Sequence, residues 1–324
     1  MKVLVTGAAG FIGMHTCLRL AARGDEVVGI DNLNDYYSPR LKQDRLAQLA
    51  SAPNFRFEAI DIVDEAAVRR VLAGSGARRV VHLAAQAGVR HSMHHPQAYV
   101  ASNLVGFGNV IEACRQAGVE HLVYASSSSV YGGNTRLPFS EADNVDHPVS
   151  LYAATKKSNE LVAYSYSHLH GLPTTGARFF TVYGPWGRPD MAYYSFARAM
   201  LQGESIQVFN EGRMRRDFTY IDDAVESVTR LLDRPPVRGP QGEAPHRVYN
   251  VGNHSPVSLM DFIGTLEQAI GRPAAKEFMP MQPGDMRETY ADTSALKAAT
   301  GFQPSTPLAT GLRAFAQWFR AYHG

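Results

Sequence analysis

The stretch Lys2-Val3-Leu4-Val5-Thr6-Gly7-Ala8-Ala9-Gly10-Phe11-Ile12-Gly13 decides the fold of this chain. Its first five residues form a short, largely apolar and β-branched run, which is typical of a buried parallel strand. The glycines then open a helical pattern that stops at Gly24. A second strand, at 26–30, leads to Asp31. A strand, a glycine turn, a helix, a strand and an acidic residue in this order predict a dinucleotide-binding βαβ unit, with a pyrophosphate at the positive end of the helix.

Asp31 indicates which dinucleotide this unit prefers. A carboxylate at this point accepts hydrogen bonds from ribose hydroxyls and repels a 2′-phosphate, so the sequence predicts NAD in preference to NADP. The glycine spacing is Gly-x-x-Gly-x-x-Gly, which differs from the commoner Gly-x-Gly-x-x-Gly. Asp61-Ile62 follows a strand-like run and is a candidate for contact with the adenine, and the small residues after Leu83 let a cofactor lie close to the backbone. The residues expected to bind NAD in this half are Gly7, Gly10, Phe11, Ile12, Gly13, Asp31, Asn32, Asp61, Ile62, Leu83, Ala84 and Ala85.

Strands and helices continue to alternate up to about residue 180. Strand-like runs at 55–60, 79–83, 121–125 and 174–180 alternate with helical patterns, notably at 97–116 and 152–170. Repeated units of this kind predict an α/β protein with a doubly wound parallel Rossmann sheet, whose ligands bind at the carboxyl ends of the strands. Beyond residue 180 the pattern loosens, and we expect a smaller C-terminal α/β domain that binds the substrate. The predicted domains are 1–180 and 181–324, and a crossing of the chain between them near 218–253 is compatible with the pattern.

Composition excludes several other classes of protein. The chain has 324 residues, of which 45% are hydrophobic and 19% charged, and its net charge is +2, so we expect a globular protein with no nucleic-acid partner. No apolar run approaches the roughly 20 residues of a membrane helix, and no signal-peptide pattern precedes the first strand, so no membrane association is expected. Cys17 and Cys114 fit no paired motif, which favours a reducing, cytoplasmic location. His91, His94 and His95 have no acidic or cysteine ligand beside them, and we interpret them as a solvated loop and predict no metal site.

Tyr152 and Lys156 are the candidate chemical centre. Residues four apart on a helix share a face, so the phenol and the ammonium can point into one site. A nearby cation favours the phenolate of a tyrosine, whose ordinary pKa is about 10, and so makes the tyrosine a more useful general base. The Tyr-x-x-x-Lys pattern also arises by chance on an amphipathic helix with an exposed lysine, and it is the dinucleotide-binding context that favours a catalytic pair.

The sequence resembles the extended short-chain dehydrogenase/reductase family, and within it the NAD-dependent nucleotide-sugar epimerases. The resemblance covers essentially the whole chain. The motifs that carry it are Thr6-Gly7-Ala8-Ala9-Gly10-Phe11-Ile12-Gly13, His82-Leu83-Ala84-Ala85, Ser126-Ser127-Ser128-Ser129-Val130-Tyr131-Gly132, Tyr152-Ala153-Ala154-Thr155-Lys156 and Arg216-Asp217-Phe218-Thr219-Tyr220-Ile221-Asp222-Asp223. Two more specific stretches look like those of UDP-glucuronate 4-epimerases: Asp31-Asn32-Leu33-Asn34-Asp35-Tyr36-Tyr37 and Arg178-Phe179-Phe180-Thr181-Val182-Tyr183-Gly184-Pro185-Trp186-Gly187-Arg188-Pro189-Asp190-Met191.

The resemblance implies a reaction and three catalytic residues. NAD, retained as a bound prosthetic group, would take a hydride from C4 of UDP-glucuronate, the 4-keto sugar would turn over in the site, and the returning hydride would give UDP-galacturonate. Ser127 would hydrogen-bond the C4 hydroxyl, and Tyr152 would accept its proton. Lys156 would bind the nicotinamide ribose and lower the pKa of Tyr152, so both residues join the expected NAD contacts.

The resemblance also implies which residues contact the substrate. Related dehydratases carry Asp-Glu where this chain has Ser128-Ser129, and related decarboxylases carry a glutamate at the position of Ser129. Serine hydroxyls are poor acids and bases, but they can donate hydrogen bonds to a carboxylate. Thr181 stands where the hexose epimerases carry asparagine, which favours a uronate substrate. The expected substrate contacts are Arg90, Ser127, Ser128, Ser129, Thr181, Arg188, Arg216 and Asp285.

Several alternatives remain open at this level. Arg188 either meets the sugar carboxylate, meets the uracil end or lies in a surface loop. The basic cluster at 213–216 either binds a diphosphate or is a solvated surface. A neutral UDP-hexose 4-epimerase, a UDP-glucuronate decarboxylase and a non-catalytic NAD(H)-sensing Rossmann protein are the competing functions. A homodimer formed through the helices at 97–116 and 152–170 is an expectation from the resemblance.

Overall fold

The computed structural model describes residues 1–282 and 286–324, and within these ranges the chain forms twelve strands. They are β1 (Lys2–Thr6), β2 (Glu26–Asp31), β3 (Phe55–Ala59), β4 (Arg79–His82), β5 (His121–Ser127), β6 (Thr174–Phe179), β7 (Thr181–Tyr183), β8 (Ser205–Phe209), β9 (Arg215–Tyr220), β10 (His246–Val251), β11 (Pro256–Ser258) and β12 (Ala275–Met279). Seven of them form one parallel sheet in the order β3-β2-β1-β4-β5-β6-β10. The chain direction across the sheet reverses between β1 and β4, which is where such a sheet opens a crevice at its carboxyl ends.

The same described ranges contain twelve α-helices. They are α1 (Phe11–Ala22), α2 (Pro39–Leu49), α3 (Glu65–Ser75), α4 (Val89–His94), α5 (Pro96–Tyr99), α6 (Phe107–Gln116), α7 (Leu151–His170), α8 (Ala192–Gln202), α9 (Ile221–Leu232), α10 (Leu259–Ile270), α11 (Ser294–Thr300) and α12 (Leu308–His323). A π-helical segment at Val100–Gly106 and short 3₁₀ turns at Ser128–Tyr131 and Asn210–Gly212 complete the regular structure. None of the described helices combines the length and the apolar character needed to cross a membrane.

Helices cover both faces of the large sheet. On one face, Met14 and Leu20 of α1 pack with Val225 of α9 in a buried cluster. On the other face, Leu72 of α3 and Ile111 of α6 belong to a second buried cluster. Alternate residues of the short apolar strands enter the two clusters, as expected for strands that are buried on both sides. The predicted doubly wound parallel Rossmann sheet is confirmed.

A smaller second part of the molecule surrounds a third core. The sheets β11-β9-β7 and β12-β8 pack there with α8, α10 and α12. Phe218 of β9 stacks on Phe262 of α10 with ring centres 4.5 Å apart. Two elements encoded after residue 180 lie elsewhere: α9 packs against α1, and β10 pairs with β6 at the edge of the large sheet. The division into domains at 1–180 and 181–324 stays a prediction. The elements α9 and β10 follow residue 180 in the sequence but pack with the first 180 residues.

The structure differs most from expectation at 97–116, where one continuous helix was predicted. The chain there forms α5, the π-helical segment and α6. Asn103 in the π-helical segment donates to the Gln86 carbonyl and to the Thr155 hydroxyl, both at 3.0 Å, and accepts from the Gln86 N–H at 2.8 Å. These contacts with neighbouring segments hold the wider helical turn, a local feature that is frequent at functional sites.

The histidine group also differs from the expected loop. His91 and His94 lie in α4, and the His91 ring stacks on His95 with ring centres 4.2 Å apart. Among the described residues, no group of three His, Cys, Asp or Glu side chains could hold a metal ion.

Candidate active site

A cleft of about 960 Å³ runs between the carboxyl ends of the large sheet and the smaller part of the molecule. Of the expected site residues, those that line it are Gly7, Gly10, Phe11, Ile12, Gly13, Asp31, Asn32, Ile62, Leu83, Ala84, Ala85, Arg90, Ser127, Ser128, Ser129, Tyr152, Lys156, Thr181, Arg188 and Arg216. Asp61 is not among the lining residues of the described chain, and Asp285 lies outside the described residues. One cavity therefore brings together expected site residues that are far apart in the sequence, from Gly7 to Arg216.

The glycine turn between β1 and α1 is packed too tightly for side chains. Gly7 has a φ of +73°, and a Cβ there would lie 2.7 Å from the backbone nitrogen of Ala84. A Cβ on Gly13 would lie 1.9 Å from the Gly7 carbonyl oxygen. The helix α1 starts after Gly10, which offers no side-chain cap to its first amides. Free amides at a helix N-terminus and a backbone open to close approach fit a pyrophosphate group.

Asp31 lies half-buried at the end of β2 and is held by two backbone amides. One carboxylate oxygen accepts from the Ala9 N–H at 3.2 Å, and the other accepts from the Leu33 N–H at 2.9 Å. Each carboxylate oxygen keeps acceptor capacity for a ribose hydroxyl. Nearby, the Asn32 amide donates to the Asp61 carboxylate at 2.9 Å, so Asp61 holds Asn32 at the cleft wall. The expected contact of Asp61 with the adenine stays a prediction. Together with the glycine turn, this arrangement fits a dinucleotide.

The helix α7 carries the candidate base. Ser150 caps it by accepting a hydrogen bond from the Ala153 N–H at 3.1 Å, which fixes the turn that contains Tyr152. Lys156 lies one turn further along, and only 2% of its surface is exposed. Its Nζ donates to the Ala125 carbonyl at 2.9 Å, and burial lowers the pKa of Lys156 to about 8.

The pKa of Tyr152 is shifted in the direction opposite to the one expected from Lys156. Burial raises the pKa of Tyr152 above its ordinary value, while the charge of Arg188 and a hydrogen bond from Ser127 act in the opposite direction. The Lys156 Nζ lies 5.9 Å from the centre of the Tyr152 ring. The Lys156 ammonium donates to a carbonyl, and the Tyr152 phenol is poorly solvated. Burial therefore affects the pKa of Tyr152 more than the nearby positive charges do. The pKa of Tyr152 is therefore raised, where the resemblance led us to expect a lowered value.

The serine run turns the end of β5 into the cleft. Ser129 donates its hydroxyl proton to the Ser127 Oγ at 2.9 Å, and its N–H lies 3.2 Å from the same oxygen. Ser127 is therefore left with its own proton for the Tyr152 phenol. The Ser126 hydroxyl points away, to Glu160 of α7 at 2.5 Å.

An ion pair between Arg188 and Asp190 also lines the cleft. Arg188 contacts Asp190 through two hydrogen bonds of 2.5 and 3.1 Å, and the Tyr36 hydroxyl donates to Asp190 at 3.2 Å. Burial opposes the charge of Arg188, but Asp190 outweighs it and raises the pKa of Arg188. Burial likewise opposes the charge of Asp190, and Arg188 holds the pKa of Asp190 below its ordinary value. Both groups are therefore charged at neutral pH, and the Arg188 charge reaches the Tyr152 phenol.

The other expected substrate contacts, Thr181, Arg90 and Arg216, lie next to strands of the smaller part of the molecule or within them. Thr181 begins β7 and is half-buried in the cleft wall. The Arg90 guanidinium lies over the Phe209 ring, 4.8 Å from its centre. Arg216 donates to the carbonyls of Met286 and Arg287 at 2.5 and 3.1 Å. These two arginines bring positive charge to the cleft that they line.

Sequence reasoning assigned no role to several residues that line the cleft. Asn34, Tyr36 and Tyr37 belong to the stretch 31–37 that carries the resemblance, so the signal was present but unused. The Lys42 Nζ donates to the carbonyl and to the side-chain oxygen of Asn34, both at 2.7 Å. Asp190 likewise belongs to the stretch 178–191 that carries the resemblance, whereas Lys42 lies in neither stretch and gave no sequence signal.

Comparison with known proteins agrees with this geometry. The model of the NAD dependent epimerase/dehydratase family matches residues 3–252. The chain is 48% identical, over 98% of its length and 97% of the relative's, to a probable UDP-glucuronate 4-epimerase of Rhizobium meliloti.

Solved structures show the same likeness. The UDP-glucuronic acid 4-epimerase from Bacillus cereus, in complex with UDP-glucuronic acid and NAD, aligns over 100% of both chains with a TM-score of 0.91 and 34% identity. A UDP-glucose 4-epimerase from Thermotoga maritima, in complex with UDP-glucose, aligns over 100% of both chains with a TM-score of 0.89 and 28% identity. Because the family model spans residues 3–252 and the Rhizobium meliloti relative is similar over nearly the whole length, the chain belongs to the NAD dependent epimerase/dehydratase family.

Proposed function

We propose that this protein is a UDP-glucuronate 4-epimerase that interconverts UDP-glucuronate and UDP-galacturonate with NAD as a bound cofactor. The observation that carries the proposal is the meeting of Ser127, Tyr152 and Arg188 in one cleft beside a turn that fits a dinucleotide. The relatives support the choice of substrate, because a probable UDP-glucuronate 4-epimerase is 48% identical over nearly the whole chain.

The residues of the chain divide the work of the reaction between them. When bound, NAD supplies a hydride acceptor for C4 of the sugar and a donor that returns the hydride. Because the pKa of Tyr152 is raised, only its phenolate fraction can act as the base; in that form Tyr152 accepts the proton of the C4 hydroxyl and gives it back after the sugar has turned over. Ser127 donates a hydrogen bond that stabilises the phenolate, and its own oxygen is held by Ser129. Lys156 donates to the Ala125 carbonyl and keeps its positive charge. In this position it would bind the nicotinamide ribose of NAD.

Arg188 is assigned to the sugar end of the substrate. Its charge acts on the Tyr152 phenol, which marks the reacting carbon, whereas Arg90 and Arg216 lie on the side of the smaller domain. A uronate carboxylate near Tyr152 can accept from the Arg188 guanidinium, which pairs geometrically with carboxylates. The diphosphate is assigned to Arg216 and Arg90, since guanidinium groups bind phosphates in the same manner.

The carboxylate also has to be kept from leaving as CO₂. Oxidation at C4 makes the uronate a β-keto acid, which decarboxylates readily. We assign this task to hydroxyl groups of the cleft that can donate hydrogen bonds to the carboxylate. One of the expected donors already has another acceptor. The Ser129 proton goes to Ser127, so Ser128 and Thr181 are the donors proposed for this task.

A single incubation tests the proposed function. The purified protein is mixed with UDP-glucuronate, and the products are identified by NMR. We expect UDP-galacturonate, and we expect kcat/KM for UDP-glucose to be lower by orders of magnitude, because donors committed to a carboxylate stay unpaired against a hydroxymethyl group. UDP-pentose as the main product would indicate a decarboxylase, equal use of UDP-glucose a hexose epimerase, and no turnover a sensor; each result would refute the proposal.

We also propose that two copies of the chain associate through one surface of α7 and the neighbouring 100–106 segment. This association surface is defined by exposed apolar side chains that have no role in the core: Val100, Leu104, Val105, Leu161, Tyr164 and Leu169. Apolar groups grouped on two adjacent helical segments favour a protein partner, and a second copy gives the symmetric interface that is commonest in oligomers.

A further inference from the structure

Arg45 is a buried charge on α2 with no role assigned so far. Its side chain is 0% exposed. Its guanidinium donates twice to the Trp186 carbonyl, at 2.7 and 3.0 Å, and once each to the carbonyls of Gly187 at 3.0 Å and Ala9 at 3.1 Å. A fifth hydrogen bond of 2.6 Å goes to the Tyr37 hydroxyl. Arginine has five N–H donors in a fixed planar fork, so this one side chain satisfies all four oxygens, which a lysine cannot do.

The acceptors of Arg45 belong to two segments that are far apart in the sequence. Ala9 lies in the glycine turn, where its N–H also donates to Asp31. Trp186 and Gly187 directly precede Arg188. One guanidinium therefore joins the turn that fits the dinucleotide to the segment that carries the arginine assigned to the substrate.

The segment before Arg188 needs such a restraint. Trp186 has a φ of +62°, which lies in the left-handed region that bulky residues rarely adopt. Two hydrogen bonds from Arg45 hold its carbonyl, and its ring packs against Trp318 and Tyr322 of α12, each with ring centres 5.3 Å away. A backbone of this kind persists only where its surroundings hold it in place.

A second contact from the large domain reaches the same segment. The His15 Nε2 on α1 lies 3.1 Å from the Pro185 carbonyl. Burial lowers the pKa of His15 to about 4, so the ring is neutral at physiological pH and its Nε2–H donates to the carbonyl. Helices α1 and α2 thus both hold the 185–187 segment by its carbonyl oxygens.

We propose that Arg45 is a positioning residue that sets Arg188 relative to the glycine turn and thereby determines the preference for a uronate over a neutral sugar. The inference rests on the proposed function, in which Arg188 meets the carboxylate. A released 185–187 segment moves the Arg188 guanidinium away from that carboxylate. The contacts assigned to the diphosphate, at Arg90 and Arg216, lie elsewhere in the cleft and stay in place, so binding of a neutral UDP-sugar is affected less.

The test compares two dissociation constants on the NAD-loaded protein. Titration calorimetry gives Kd for UDP-glucuronate and for UDP-glucose with the wild type and with Arg45→Lys. We expect Arg45→Lys to weaken the binding of UDP-glucuronate by about 10- to 100-fold, as the loss of a charge-assisted hydrogen bond does, and the binding of UDP-glucose by much less. The matched control is Arg79→Lys, because Arg79 is a largely buried arginine that donates to the Leu232 carbonyl outside the cleft. It should leave the ratio of the two constants unchanged.

If Arg45→Lys weakens the binding of both ligands by the same factor, Arg45 has only a structural role and the inference is overturned. If thermal unfolding shows that this variant does not fold, His15→Ala replaces it, since it removes one contact with the same segment and buries no unpaired charge. A shift of the Kd ratio in the same direction supports the inference, and an unchanged ratio overturns it. Turnover of UDP-glucuronate by the wild type is measured separately. Its absence would remove the proposed function, while the Kd ratio would still decide the role of Arg45.

Discussion

At the scale of single residues, Lys156 shows a conflict between function and stability. Its side chain is almost completely buried, and burial lowers its pKa from 10.5 to about 8. An unfolded lysine keeps the ordinary value, so at neutral pH folding has to desolvate a charge. The difference between the two pKa values corresponds to about 3 kcal/mol. A contribution to folding therefore does not explain a lysine at this position.

We therefore expect Lys156→Met to increase the free energy of unfolding of the NAD-free protein at pH 7, by up to about 3 kcal/mol. Between pH 8 and 10.5 the unfolded wild type binds more protons than the folded one, so its stability rises with pH and the advantage of the variant shrinks. Urea unfolding at several pH values measures this difference. Lys157→Met is the control, because Lys157 is on the same helix and pairs with Asp146 at the surface. An advantage that stays constant up to pH 10 would contradict the buried charge.

Tyr152→Phe tests the proposed base. The change keeps the ring and its packing but removes the group that accepts the C4 proton. We expect kcat to fall by about 10²- to 10⁴-fold, with little change in Kd for UDP-glucuronate. Tyr164→Phe, at an exposed position of the same helix, should leave both constants unchanged. Near-normal turnover by Tyr152→Phe would show that another group is the base.

Ser128→Ala combined with Thr181→Ala tests how the carboxylate is held. With both donors removed, the β-keto acid is free to adopt the geometry that loses CO₂, so we expect more UDP-pentose per UDP-galacturonate formed. The product ratio is measured by NMR. Ser195→Ala is the control, because Ser195 lines the cleft but its hydroxyl donates to its own helix, at Ala192. A product ratio equal to that of the wild type would exclude these hydroxyls from this task.

The residues that sequence reasoning found differ in kind from those it missed. The glycine turn and Asp31 act through local backbone geometry, and their spacing is visible in the sequence. Arg45 and Asp190 act through partners that are far along the chain or set by the conformation of a loop. No periodicity encodes such contacts, so only the folded structure could show them.

At the scale of elements, apolar runs predicted the central strands β1, β2, β4 and β5 to within one or two residues, because strands buried on both faces are largely apolar. The π-helical segment at Val100–Gly106 could not be predicted in this way. A π-turn and an α-turn differ by one residue in hydrogen-bond register, and the same apolar pattern suits both. What selects the wider turn is the contact of Asn103 with Gln86 and Thr155.

Asn103→Leu should consequently destabilise the protein. It leaves the buried N–H and C=O groups of Gln86 without their partner, at a cost of roughly 1–3 kcal/mol each. We expect the free energy of unfolding to fall by about 2–5 kcal/mol in urea titration. Asn109→Ala, in which a more exposed amide loses its contacts with the Ile62 and Val63 carbonyls, should cost much less. Equal losses for the two variants would argue against a special role of the π-helical segment.

At the scale of the whole molecule, the proposed association surface makes a prediction about size in solution. Leu161→Glu places a charge at an exposed apolar position of α7, where a second copy would have to bury it. We expect sedimentation velocity to show a dimer for the wild type and a monomer for this variant. Val237→Glu, at a more exposed apolar side chain outside the association surface, should remain a dimer. A monomeric wild type would remove this surface from consideration.

The two tryptophans of the chain, Trp186 and Trp318, lie with their rings 5.3 Å apart. All of the indole fluorescence of the molecule consequently arises from one point, where the segment before Arg188 meets the C-terminal helix. Excitation energy transfers between the two rings, and the emission does not report on the distant edges of the large sheet. The protein thus carries a built-in optical probe of the segment that positions Arg188, and ligand titrations can be followed there without any attached dye.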